Sequence, residues 1–164
     1  MAMKFKALAA VSALAVLALP AVGDAQVNKQ TSNQPIAFGA DSGEQTPASI
    51  SLRGRAEVTQ GGNRLRADAI TMFRNAAGDP DRVEATGTVY FVTPTQSMRG
   101  DRAVYTINNG EVVVTGNVIL TQGQNVLTGG RLNYNVNTDA ATMAGAPRGS
   151  AGTRIQGVFY PGNN

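Results

Sequence analysis

The chain has 164 residues, with fourteen Lys and Arg against eleven Asp and Glu, and it has no His, no Cys and no Trp. The missing His and Cys remove the commonest general base, the thiol nucleophile, disulfides and most transition-metal ligand sets, so no catalytic residue, metal or cofactor is expected. Past the first few residues the charges nearly cancel, twelve basic to eleven acidic, and bulk electrostatics give no reason to expect a nucleic-acid partner.

Lys4 and Lys6 precede an apolar run from Ala7 to Leu19, followed by Pro20 and the small residues Ala21, Val22, Gly23, Asp24 and Ala25. A basic start, a run too short to span a bilayer comfortably and a small-residue stretch predict a signal peptide over 1–25, cleaved after Gly23 or Ala25. An uncleaved membrane anchor is the alternative. Residues 26–33 read as a polar linker, 34–161 as one domain and 162–164 as a tail.

The domain repeats itself. Gly54, Gly87 and Gly116 each have apolar residues at minus four, minus two, plus two and plus four, and Ala141 and Met143 begin the same pattern before Gly145. The anchors are 33, 29 and 29 residues apart, a spacing typical of stacked units. Strict alternation places every anchor within a strand that has one buried face. Further on, Leu65, Met98 or Leu127 stands at plus eleven and a small residue, Ala67, Gly100 or Gly129, at plus thirteen. Then Ile70 and Met72, Ala103 and Tyr105, or Leu132 and Tyr134 mark a second alternating strand running back.

Turn chemistry supports this layout. Thr59 to Asn63 and Thr121 to Asn125 share a reversal containing Gly, which the second unit replaces with Thr93-Pro94-Thr95-Gln96. Gly78-Asp79-Pro80-Asp81 and Asn108-Asn109-Gly110 mark further turns. No helical periodicity occurs after the first twenty residues, so the domain is expected to be all-β. Asp68 and Asp101 hold equivalent places at plus fourteen, where a turn or bulge is the simplest reading. Ala144 to Gly152 is rich in Gly, Ala and Pro, leaving the C-terminal stretch open between a strand and a tail.

The outward register is polar in the first two units, with Ser51, Arg53, Arg55 and Glu57, then Arg82, Glu84, Thr86 and Thr88. In the third, Val113 and Ile119 break the rule, which predicts a covered or central strand. The inward residues are medium aliphatics that suit either a dry core or a cleft for acyl chains.

Gly116-Asn117-Val118-Ile119-Leu120-Thr121-Gln122-Gly123, with Val112 to Thr115 before it and Leu127 to Tyr134 after it, resembles the repeat of the LptA/OstA-like family of periplasmic lipopolysaccharide-transport proteins. Asn33-Gln34-Pro35-Ile36 with Asp41-Ser42 is similar to that family's opening strand, and Arg154 to Pro161 to its closing one. Ala37-Phe38-Gly39-Ala40 departs from the acidic and polar residues that usually follow the opening Ile.

The resemblance implies an open twisted β-jellyroll built from stacked antiparallel strand pairs. It implies a trough that shelters the lipid A acyl chains of lipopolysaccharide in the periplasm. Its expected partners are LptC-like inner-membrane and LptD-like outer-membrane components, and further copies of the chain head to tail. The alternatives are a self-polymerising β-solenoid of the envelope and a membrane-anchored, LptC-like bridge component.

The expected lipid contacts are Ile50, Leu52, Val58, Leu65, Ile70, Met72, Val83, Val89, Phe91, Met98, Tyr105, Val114, Val118, Leu120, Leu127, Leu132 and Tyr134. Arg64, Arg66 and Arg99 are candidates for the lipid's phosphates. Ile36, Phe38, Ile155, Val158 and Tyr160 are the expected partner edges, because a terminal strand leaves backbone groups unpaired.

Overall fold

The computed structural model describes residues 34–146 and 154–161; the expected signal peptide, linker and tail lie outside the described residues. Ten strands follow one another: β1 (Ile36–Gly39), β2 (Ser42–Gln45), β3 (Ser49–Gln60), β4 (Asn63–Arg74), β5 (Pro80–Val92), β6 (Ser97–Thr106), β7 (Glu111–Gln122), β8 (Asn125–Asn135), β9 (Ala141–Ala144) and β10 (Gln156–Val158). They form one antiparallel sheet in the order β1-β3-β4-β5-β6-β7-β8-β10, with β2 also on β3 and β9 also on β8. The fold is all-β, an open jellyroll.

Each unit is the expected pair of strands joined by a tight turn. Gly61 and Gly123 reach φ 58° at the two matching reversals, conformations that favour glycine. β2 has no counterpart in the sequence reading: Ser-Gly-Glu-Gln carries no alternation, and only pairing with β3 makes it a strand. The C-terminal stretch resolves as a strand, with Gln156, Gly157 and Val158 paired to Thr128, Leu127 and Val126.

The long strands are not straight. The pairing of β3 through β8 breaks register between Arg53 and Ala56, Arg66 and Ala69, Thr86 and Val89, Arg99 and Arg102, and Thr115 and Val118. These bulges line up across the sheet as a crease, because a bulge bends its strand. The anchor glycines form it: Gly54, Gly87 and Gly116 lie at φ 74°, 74° and 79°, and the following Arg55, Thr88 and Asn117 also have positive φ. A Cβ on any of the three glycines would overlap the carboxylate of Asp41, Asp68 or Asp101 respectively. The carboxylates brace the bend: Asn117 Nδ2 donates to Asp101 Oδ2 at 3.1 Å and Arg55 Nε to Asp41 Oδ1 at 3.0 Å. The Arg55 guanidinium holds the Asp41 carboxyl below its ordinary range.

The crease divides the sheet into two facing halves. The first comprises β2, the near parts of β3, β5 and β7, the far parts of β4, β6 and β8, and β9. The second comprises β1, the remaining parts of the same long strands, and β10. Small residues at the repeat's plus-thirteen position let the halves meet beside the crease: a Cβ on Gly100 would strike Val114, and one on Gly129 would lie 2.7 Å from Met143 Sδ. Leu52, Ile70, Ala85, Ala103, Val114 and Leu132 fill the wedge from one side, and Ala56, Ala67, Val89 and Val118 from the other. β7 is an inner strand, as its double apolar pattern predicts, although Val113 and Ile119 remain half-buried on the outside.

Candidate functional site

Away from the crease the halves diverge, and the space between them is unevenly filled. Nearest the mouth, the first half presents a row that runs across paired strands: Ile50, Met72, Val83, Tyr105, Val112 and Tyr134. The second half presents Phe38, Val58, Leu65, Phe91, Met98, Leu120 and Leu127. Between the early members of these rows lies an apolar cavity of about 550 Å³. The later members are packed: Val112 is 3%, Tyr134 2%, Met98 2% and Leu120 8% exposed.

Of the seventeen expected contacts, Ile50, Leu52, Val58, Leu65, Ile70, Met72, Val83, Phe91 and Tyr105 line the cavity. Val89, Met98, Val114, Val118, Leu120, Leu132 and Tyr134 are buried in the packed interior, and Leu127 packs against it. The inward register places both sets on one surface, because period-two alternation assigns a face but says nothing of the gap opposite.

Ile36 and Phe38, expected as edge residues, line the cavity as well, since Phe38 pairs with Val58 and Ile36 with Gln60. Ile107 and Val136, in turns beyond the alternating runs, complete the apolar wall. Gln60, Asn63, Asn108 and Asn137 form a polar rim at the mouth. Continuing the alternation two residues past Tyr105 and Tyr134 would have found Ile107 and Val136.

The three candidate phosphate contacts stand on the outer face. Arg64 Nε and Arg66 Nε lie 3.5 and 3.4 Å from the Glu57 carboxylate, and the Arg99 guanidinium sits 5.9 Å from the centre of the Tyr90 ring. None of the three lines the cavity. Of the expected partner edges, Phe38 is 61% exposed, and Ile36, Ile155, Val158 and Tyr160 are exposed too, together with Phe159. Among the described residues nothing pairs with the outer edge of β1, β2, β9 or β10.

Burial pushes the phenol of Tyr105 above its ordinary pKa, and that of Tyr134 is raised further by burial and by its hydrogen bond to Asp139 Oδ1 at 2.5 Å. Both phenols ionise more readily in the unfolded chain, where the value is 10.0, so their contribution is intact below that pH and is lost as pH rises through the folded values. Denaturation midpoints measured across alkaline pH should therefore fall more steeply for the native chain than for Tyr134→Phe; parallel curves would remove Tyr134 from the linkage.

Three comparisons with known proteins bear on this geometry. Residues 40–140 match the family model described as "LptA/(LptD N-terminal domain) LPS transport protein". An uncharacterized protein of Rhizobium meliloti (strain 1021) is 30% identical over 124 residues, covering 69% of this chain and 67% of that one. Among solved structures, the fold matches LptH from Pseudomonas aeruginosa with a TM-score of 0.73 at 22% identity, over 80% of this chain and 99% of that one; LptH is described as the LptA-homologous periplasmic component of the conserved lipopolysaccharide transport device. The creased sheet agrees with that likeness in fold, and the family match spans β2 to the turn before β9. The chain belongs to the LptA/LptD N-terminal-domain family of lipopolysaccharide-transport proteins.

Proposed function

We propose that the chain binds lipopolysaccharide in the periplasm by seating acyl chains in the cavity between its half-sheets, and that it passes the lipid between the membranes. The cavity carries this reading: its walls are the inward aliphatic and aromatic residues of β1 and β3 to β6, and its rim is polar. An acyl chain gains about 0.8 kcal/mol for each methylene removed from water and demands no directional contacts. The rim amides Gln60, Asn63, Asn108 and Asn137 are placed where a hydrated headgroup would leave the trough. A volume of about 550 Å³ is that of a pocket for one small ligand, so it seats part of a many-chained lipid.

Handoff follows from the open ends. Exposed Ile36 and Phe38 on β1, and Ile155, Val158 and Tyr160 around β10, suit strand addition by an LptC-like component at one end and an LptD-like component at the other, or by another copy of the chain. Net transport needs an energy source outside this chain. The test is photo-crosslinking in cells, with a photoreactive residue at Phe91, which lines the cavity, or at its outward neighbour Tyr90. Lipopolysaccharide adducts from position 91 and not 90 are the expected result, and adducts from neither would defeat the trough reading.

A further inference from the structure

The turn joining β6 to β7 and the turn joining β8 to β9 are knit together at the tip of the first half. The Val136 amide donates to Gly110 O at 2.9 Å, and Asn109 O accepts from Asn135 Nδ2 at 3.0 Å and from Asn137 Nδ2 at 3.3 Å. Gly110 is buried, and a Cβ there would overlap the Asn137 amide. The two turns therefore form one block. Asn108 and Asn137 of this block stand on the polar rim of the apolar cavity.

Behind that rim, on the outer face, lies a second and smaller recess of about 240 Å³. Its polar wall is made by Asn109, Glu111, Asn133, Asn135 and Thr142. Strand pairing sets these side chains beside one another: Glu111 lies opposite Asn135 and Asn133 opposite Thr142, with Cβ atoms about 5 Å apart across each pair.

The fold uses some of these polar groups and leaves others over. Asn135 is engaged at both ends, since its Oδ1 accepts from the Asn137 amide at 2.9 Å while its Nδ2 donates to Asn109 O. Asn109 Oδ1 accepts from the Glu111 amide at 3.0 Å and Asn133 Oδ1 from Arg131 Nε at 3.2 Å, which leaves the NH2 end of each side chain to donate elsewhere. Among the described residues no hydrogen bond or ion pair takes up those two NH2 groups, the Glu111 carboxylate or the Thr142 hydroxyl. The NH2 donors disfavour a cation as occupant, and the carboxylate disfavours an anion. Two donors, an acceptor-only carboxylate and a hydroxyl that does both are the complement of a sugar ring, whose neighbouring hydroxyls each donate and accept. The volume falls below the range usual for small-ligand pockets, about 300–1,000 Å³, and suits one ring and not an oligosaccharide.

We propose that this recess binds one sugar residue of the lipopolysaccharide glycan while the acyl chains occupy the cavity on the other side of the two turns. The proposal rests on the acyl-trough reading. Asn108 on the rim and Asn109 in the recess are neighbours, with Cα atoms about 3.8 Å apart, so a glycan that leaves the cavity past Asn108 and Asn137 meets the recess as it passes over the tip. Glu111 and Thr142 accept from its hydroxyls, and Asn109 and Asn133 donate to them. The recess thereby fixes which way the glycan faces, which the apolar cavity, with its lack of directional contacts, does not.

The probe is purified lipopolysaccharide stripped of its acyl chains, titrated into the isotope-labelled full chain. The side-chain amide signals of Asn109 and Asn133 should shift, and the ring signals of Phe91 on the cavity wall should not. Glu111→Gln and Asn133→Ala should each weaken binding roughly fivefold, the effect of one net hydrogen bond. Both side chains are exposed, so the fold should survive either change.

A glycan that leaves both amides unmoved, or binding that neither substitution weakens, overturns the site. Equal affinity for an N-acetylglucosamine oligomer overturns its assignment to lipopolysaccharide. Failure of the acyl trough is read separately, as loss of lipopolysaccharide crosslinks at Phe91 in the parent, and the titration with the acyl-free glycan would still decide whether the recess binds sugar.

Discussion

Gly116→Ala is expected to cost the folded chain about 2–4 kcal/mol, a large share of the stability of a domain this size. Two effects combine. The backbone at 116 lies at φ 79°, where an L side chain is strained, and the new Cβ would overlap the Asp101 carboxylate that covers the glycine. Asn117 also has positive φ and ties its amide to the same carboxylate, so neither the bend nor the aspartate is free to shift. Chemical denaturation measures the loss. Asp101→Gly in the Gly116→Ala background should recover the steric part and leave the backbone part, so a double mutant no more stable than Gly116→Ala would show that the carboxylate contact is not the cause.

Phe91→Glu and Leu120→Glu should behave differently, although both residues occupy inward positions four past their anchor glycines. Phe91 lines the cavity and is half-buried, so a carboxylate there keeps access to water and the fold should survive. Capture of lipid should fall about ten- to a hundredfold, as expected from losing an aromatic contact worth about 1.5–3 kcal/mol and charging the wall. Leu120 is 8% exposed, with Val112, Val118, Met98 and Leu132 in the same buried cluster, and an unpaired carboxylate there should unfold the domain. Circular dichroism and crosslink yield, measured together, separate the outcomes. Equal stability for the two variants would mean that the interior at Leu120 is open after all.

The strand pairs were legible because side-chain parity is a local property: Ile50 and Leu52, or Val112 and Val114, announce a buried face without reference to any neighbour. The turns were legible for the same reason, since Gly61 and Gly123 must supply a positive φ. The crease was only half visible. The glycines at 54, 87 and 116 stood out as anchors, and Asp68 and Asp101 as equivalent positions, but their meeting across strands is a matter of pairing register. Asp41 figures in the sequence only beside Ser42 in the opening-strand resemblance, because it lies in the short connection between β1 and β2, ahead of the first repeat.

The candidate site was the least legible part. Alternation marks Val83 and Val114 alike as inward, yet one lines a cavity and the other is buried in a packed wedge, because the difference lies in the separation of two half-sheets at distant points of the chain. β10 shows the same limit: its three residues become a strand through the free edge of β8, and no feature of Gln-Gly-Val requires it.

The crease repeats once per strand pair, and this makes the molecule a ruler with a fixed graduation. A tandem duplication of one unit would insert two strands, return the chain in the same direction and add another braced bend in line with the others. It would lengthen the trough by about 9.5 Å, two strand spacings, without altering either terminal edge. Duplication of a single strand would instead reverse the direction of everything downstream and exchange its two half-sheets across the crease, so reach in this architecture grows by whole pairs.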